Sequence, residues 1–167
     1  MLTEHKIELG NHDVLDEHRH QAFVHRYRKA LDLETLARNA TGRKVPGFEA
    51  AALFISAVDA LGNDLIPETA LAGSPFAPAY RKYRELLDQH RFLTFGLIIS
   101  EAVHWLENAP AFRASVRRDL SHLLVDEYQD VNPAQERLIS TIGVAALESS
   151  QPPTHSPRPS RHGWKRR

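Results

Sequence analysis

A chain of 167 residues, 42% hydrophobic and 25% charged, has the size and composition of one globular domain with a real core. Its formal charge of +0 is unevenly spread: five of the 21 basic residues (Arg158, Arg161, Lys165, Arg166 and Arg167) lie after position 151 with no acid among them, leaving 16 against 21 acids in the body. An acidic body excludes bulk electrostatic capture of nucleic acid, the lack of cysteine excludes disulfides and thiolate metal sites, and no apolar run reaches bilayer length, so no membrane partner and a cytoplasmic location are expected.

The polar first eleven residues lack the apolar centre of a signal peptide. Over 17–39, Phe23, Tyr27, Ala30, Leu31, Leu36 and Ala37 recur at roughly helical spacing and predict one helix. Residues 41–47 (TGRKVPG) break the pattern as a loop. A second helix is expected over 48–61, with Ala51, Ala52, Ile55 and Val58 on one side and Gly62-Asn63 as a stop signal. The stretch 67–78 reads as a connector, and 79–90 as a third helix whose apolar side is Tyr80, Tyr83, Leu86 and Leu87. Thr94 suits the N-cap of a fourth helix reaching 108, with Phe95, Ile98, Ala102, Trp105 and Leu106 as its buried stripe. Pro110 suits the first turn of a shorter fifth helix ending near 118. There the period changes. Residues 121–125 (SHLLV) end in a continuous apolar run bounded by acids, which predicts a short strand buried on both faces, as in a parallel sheet. Asn132-Pro133-Ala134-Gln135 opens another helix, with Asn132 as N-cap, Pro133 at the first position and Gln135 closing a capping box. After Gly143 the pattern dissolves, and 151–159 (QPPTHSPRP) is expected to be disordered, because it cannot bury a core.

The chemistry concentrates in Leu123-Leu124-Val125-Asp126-Glu127-Tyr128-Gln129-Asp130. An apolar strand that delivers two acids at its C-terminal end follows the logic of a nucleotide hydrolase, since open parallel sheets bind ligands at that end. Asp126 suits Mg²⁺, which prefers oxygen ligands and keeps several waters. Glu127 suits the base that orients and deprotonates an attacking water. Gln129 can both donate and accept, and so can sense the water or phosphate.

The run VDEYQDVNPAQ resembles motif II of superfamily-one helicases of the UvrD/Rep type. The resemblance implies a helix-dominated α/β fold: a partial P-loop, RecA-like motor domain with a helical insertion and one clear buried strand. It divides the chain into an insertion-like region over 1–76, the partial motor domain over 77–142 and a Pro/Arg-rich tail over 143–167. ATP and Mg²⁺ are the implied cofactors, and single-stranded DNA and the rest of the helicase the implied partners. Asp126 matches the Mg²⁺ ligand, Glu127 the catalytic base and Gln129 the coupling glutamine on the nucleotide side. Asp130 and Gln135 match further family positions, Gln135 also on the nucleotide side. Arg91-Phe92-Leu93-Thr94-Phe95 resembles an element that opens a helix before motif II, with Thr94 where Asp is usual; both residues cap helices.

The phosphate-binding loop, Gly-x-x-x-x-Gly-Lys-Ser/Thr, is missing, and the chain has no Gly-Lys dipeptide. Thr41-Gly42-Arg43-Lys44 lacks the earlier glycine and the following hydroxyl. The strand expected after motif II and the arginine fingers of a second motor domain are also missing. The expectation is therefore a piece of a helicase that hydrolyses no ATP alone, of the kind a truncated or frameshifted reading frame produces. The rivals are a helical module binding DNA or a helicase, and a half-motor working in trans. His18, His20 and His25, near Asp16 and Glu17, lack ligand spacing and read as a solvated helix face rather than a zinc site. Arg81, Lys82, Arg84, Arg113, Arg117 and Arg118 read as the wet sides of helices, for want of aromatic interleaving. No Gly-x-Ser-x-Gly nucleophile elbow is present.

Overall fold

The computed structural model describes residues 12–148. In chain order these form β1 (Asp13–Leu15), α1 (Glu17–Tyr27), α2 (Leu33–Thr41), α3 (Gly47–Asn63), a 3-10 turn (Glu68–Leu71), α4 (Phe76–His90), β2 (Phe92–Thr94), α5 (Phe95–Asn108), α6 (Pro110–Asp119), a second 3-10 turn (Tyr128–Asp130) and α7 (Pro133–Glu148). Helices dominate. The strands β1 and β2 pair in parallel with the register Asp13↔Phe92, Val14↔Leu93 and Leu15↔Thr94. Three residues are too few to show an alternating period, which is why neither strand is visible in the sequence.

The helix expected over 17–39 is two helices. Leu31 and Leu33 are 3% and 0% exposed, and residues two apart cannot share a helix face. The chain reverses between them, with Asp32 in the left-handed region at φ 51°, and both leucines enter the core. The strand expected over 121–125 is absent as well. Its apolar run needs sheet neighbours on both edges, and among the described residues the sheet consists of β1 and β2 alone. Leu124 is instead 95% exposed. The helical pattern does not stop at Gly143, because α7 continues to Glu148. The disorder expected over 151–159 lies outside the described residues. Among those that are described, no helix is long and apolar enough to cross a membrane.

One core joins α1 to α4, with Leu15 from β1 and Leu97 from α5 closing its end. Tyr83, Leu33, Leu87 and Val24 are its most enclosed side chains. Tyr83 meets Phe54 edge-on at 5.4 Å between ring centroids and Phe23 at 6.4 Å. Such a phenol must find a partner inside, and its hydroxyl lies 2.7 Å from His20 Nε2. His20 is thus a core residue, 7% exposed, and not part of a solvated face. The hydrophobic stripe of α1 begins with it: His20, Phe23, Val24 and Tyr27 stand at i, i+3, i+4 and i+7.

The C-terminal part is a smaller layer in which α7 lies along α5 with α6 beside it. Val103, Leu106 and Ala134 are its buried side chains. The basic residues there hold the fold together. Arg117 gives two hydrogen bonds to the Thr141 carbonyl, at 3.1 and 2.6 Å, and Arg113 gives one to the Leu106 carbonyl at 3.2 Å. Arg84 is partly buried against Glu101 at 3.3 Å.

Candidate functional site

The link between α6 and α7 carries the acids singled out by the sequence. At its far end, α7 is fixed by the expected capping box. Asn132 Oδ1 accepts the Gln135 N–H at 2.9 Å, and Gln135 Oε1 accepts the Asn132 N–H at 3.1 Å. The Asn132 amide also donates to Asn63 Oδ1 at 3.0 Å, tying the start of α7 to the end of α3. The spacing of the box announces the cap, but nothing in the sequence announces the second anchor, 69 residues away.

Upstream of that cap the chain makes one tight turn. Glu127 lies in the left-handed region, at φ 49° and ψ 44°, a conformation that costs a residue with a Cβ about 1 kcal/mol. Its carbonyl accepts the Asp130 N–H at 2.9 Å, and the Tyr128 carbonyl accepts the Val131 N–H at 3.3 Å. This turn presents Asp126, Glu127 and Gln129 together. Asp126 Oδ1 accepts the Glu127 N–H at 3.0 Å, and the Gln129 amide donates to Glu127 Oε2. All three side chains, like that of Asp130, are exposed. The Tyr128 hydroxyl donates to Glu136 Oε1 at 3.3 Å, and the Glu136 carboxylate beside it holds the phenol above its ordinary value. The structure therefore brings Asp126, Glu127 and Gln129 together, and assigns Gln135 a capping bond one turn along the chain.

A hydrated Mg²⁺ needs only one or two carboxylates and completes its shell with waters and phosphate oxygens. Asp126 fits this requirement, with one oxygen turned to its neighbour's N–H and the residue open to solvent. Among the described residues no three His, Cys, Asp or Glu side chains form a group that could hold a metal ion. Of His18, His20 and His25, the middle member is buried in the core. For a triphosphate the residues do not fit. A cradle of backbone amides and a lysine is required, and the loop 41–44 (TGRK) holds Gly42 at φ 72° as the C-cap of α2, where its N–H closes on the Arg38 carbonyl.

A cleft of about 400 Å³ opens between α3, α4 and α5, lined by Asp59, Tyr80, Arg84, Thr94, Leu97 and Glu101 among others. Here α3 and α5 approach closely; a Cβ on Gly62 would stand 3.5 Å from the Gly96 Cα. Neither Asp126 nor Glu127 lines the cleft. Arg84 and Glu101 pair across its wall, and it is a seam between packed helices rather than an extension of the acidic turn.

Comparison with known proteins places these features. The family model described as the UvrD/REP helicase N-terminal domain matches residues 3–146. The chain is 37% identical over 97 residues to the ATP-dependent DNA helicase UvrD1 of Mycobacterium bovis and of Mycobacterium tuberculosis, an alignment covering 52% of this chain and 13% of each relative. To UvrD1 of Mycobacterium leprae it is 35% identical over 97 residues, covering 52% of this chain and 12% of that protein. The matched part thus spans about an eighth of the curated relatives. No solved structure matches.

Proposed function

We propose that this chain, which belongs to the UvrD/REP helicase N-terminal domain family, carries the motif II portion of an ATP-driven motor that moves on single-stranded DNA in the cytoplasm. In this reading 77–142 is a partial P-loop, RecA-like motor region, 1–76 corresponds to its helical insertion, and 143–167 is a tail. The observation that supports it best is the acidic turn: Asp126, Glu127 and Gln129 leave the backbone side by side, immediately before a doubly anchored helix.

Asp126 is the residue to hold Mg²⁺ through water, and the ion, when bound, neutralises phosphate charge. Glu127 is the group to orient a water and take its proton. Gln129 acts as a positioning residue: its amide holds the Glu127 carboxylate, so a change at either reaches the other. Gln135, and with it the nucleotide-side role proposed for it, acts through the helix it caps. The cradle for the phosphates has to come from further motor sequence, in the same polypeptide or another. The 167-residue chain on its own then turns over no ATP, because the phosphate loop and the arginine fingers each supply large factors in rate.

Phosphate release by the purified chain, measured with Mg²⁺, ATP and single-stranded DNA, is expected at background. A Mg²⁺-dependent rate that disappears in Glu127→Gln would show a complete hydrolysis site and overturn this assignment.

A further inference from the structure

The end of α3 reaches from one layer of the fold into the other. The body of α3 belongs to the larger core, where Ala50, Ala51, Phe54 and Val58 are buried. Its last residue, Asn63, accepts the Asn132 amide at 3.0 Å, and both residues are half-buried. The backbone just beyond Asn63 closes a Schellman motif: the Ile66 N–H donates to the Leu61 carbonyl at 2.9 Å and the Leu65 N–H to the Gly62 carbonyl at 3.3 Å. Leu65 takes the left-handed position of that motif, at φ 52°, which glycine usually fills. A leucine keeps such a conformation only where its surroundings determine it, so the end of α3 is a fixed point.

From Asn132 a run of bonds leads back to the acids. The Val131 N–H donates to the Tyr128 carbonyl and the Asp130 N–H to the Glu127 carbonyl, while the Tyr128 hydroxyl donates to Glu136 Oε1. The acidic turn is thereby bonded onto the first turn of α7. These contacts are local to 127–136, whereas the bond from Asn132 to Asn63 spans 69 residues.

We propose that Asn63 is a positioning residue for the acidic turn: through Asn132 it makes the end of α3 the fixed point against which Glu127 and Gln129 are held. A displacement of α3 then reaches the turn, and a displacement of the turn reaches α3, because coupling between two elements is reciprocal. Its carrier is a named hydrogen bond and not mere proximity. The purpose of this coupling rests on Glu127 and Gln129 acting at the nucleotide, as proposed, while the coupling itself is read without nucleotide, so either can fail alone.

The two amides allow a test that leaves α7 capped. Asn63→Asp keeps an acceptor for the Asn132 amide. Asn132→Asp keeps a good N-cap, and the Asn63 amide can turn over to donate to it. The double variant sets two carboxylates against each other and removes the bond. Hydrogen exchange in the full 167-residue chain, followed residue by residue by NMR, compares the Asp130 and Val131 amides, which close the turn, with those of Val24, Tyr83 and Leu87 in the core. Each single variant is expected to keep the wild-type ratio of turn to core rates. The double variant is expected to raise that ratio about tenfold. Asn63→Ala, which removes the acceptor and adds no charge, is expected to do the same, and serves should the double variant fail to fold. A bond that only stabilises the whole fold would speed turn and core amides together and leave the ratio unchanged. An unchanged ratio in Asn63→Ala, single aspartate variants that raise it as much as the double, or wild-type turn amides without protection would each overturn the proposal.

Discussion

Replacing Tyr83 by Phe removes one oxygen from the centre of the α1–α4 core and nothing else. Tyr83 is 0% exposed, so the change opens no cavity larger than a hydroxyl, and the packing against Phe54 and Phe23 is kept. What is lost is the 2.7 Å bond to His20 Nε2, between two residues that are both buried. The bond itself contributes about 1 kcal/mol net, and an unpaired buried nitrogen costs a further ~1–3 kcal/mol, so a loss of about 2–4 kcal/mol is expected. The fold supplies its own control. Tyr27 and His90 make the same kind of bond at 2.6 Å, but with His90 exposed. There water takes over the freed nitrogen, and Tyr27→Phe should cost about 0.5 kcal/mol or less. Urea unfolding followed by circular dichroism compares the midpoints at constant slope. Equal shifts for the two variants would refute the reasoning, because burial alone distinguishes them.

The same pair sets a pH dependence. Burial holds His20 below its ordinary value of 6.5, against the opposing pull of Asp59. The unfolded chain therefore takes up the proton first: stability is complete above 6.5 and declines as pH falls through 6.5 towards the folded value. Wild-type midpoints should fall between about pH 7 and pH 5 more steeply than those of a His20→Phe, Tyr83→Phe double variant, and equal slopes would contradict this. Asn132→Ala removes both the cap of α7 and its link to Asn63, and is expected to cost about 1–2 kcal/mol. Gln135→Ala removes only its half of the box and should cost about half as much in the same urea series; an equal or larger loss would mean that the Asn63 link adds nothing.

The sequence was most legible where a signal is local. Thr94 accepts the Leu97 N–H as N-cap of α5, Pro110 opens α6, and Asn132 with Gln135 caps α7, each a matter of three or four residues. The grouping of Asp126, Glu127 and Gln129 follows from their adjacency in one turn. Features set by distant partners were not legible. His20 meets Tyr83 across 63 residues, and β1 meets β2 across more than 70, so neither leaves a periodic mark. The apolar run 121–125 carries a true strand signal, but a strand is a property of its neighbours, and the described residues offer none. The break between α1 and α2 is hidden for a subtler reason: Leu31 and Leu33 both count as apolar, and only their two-residue spacing betrays that they cannot lie on one helix.

The claim that 121–136 is a working motif II is tested most directly by transplantation. Substituting this segment for the corresponding stretch of a complete UvrD-type helicase provides the phosphate loop and the second motor domain that the 167-residue chain does not contain. The chimera is expected to keep DNA-stimulated ATP hydrolysis within about tenfold of its parent, and Glu127→Gln within it to lower the rate by ~10²–10⁴. A folded chimera that is inert, or one indifferent to Glu127→Gln, would contradict the assignment of Glu127 as the water-activating base.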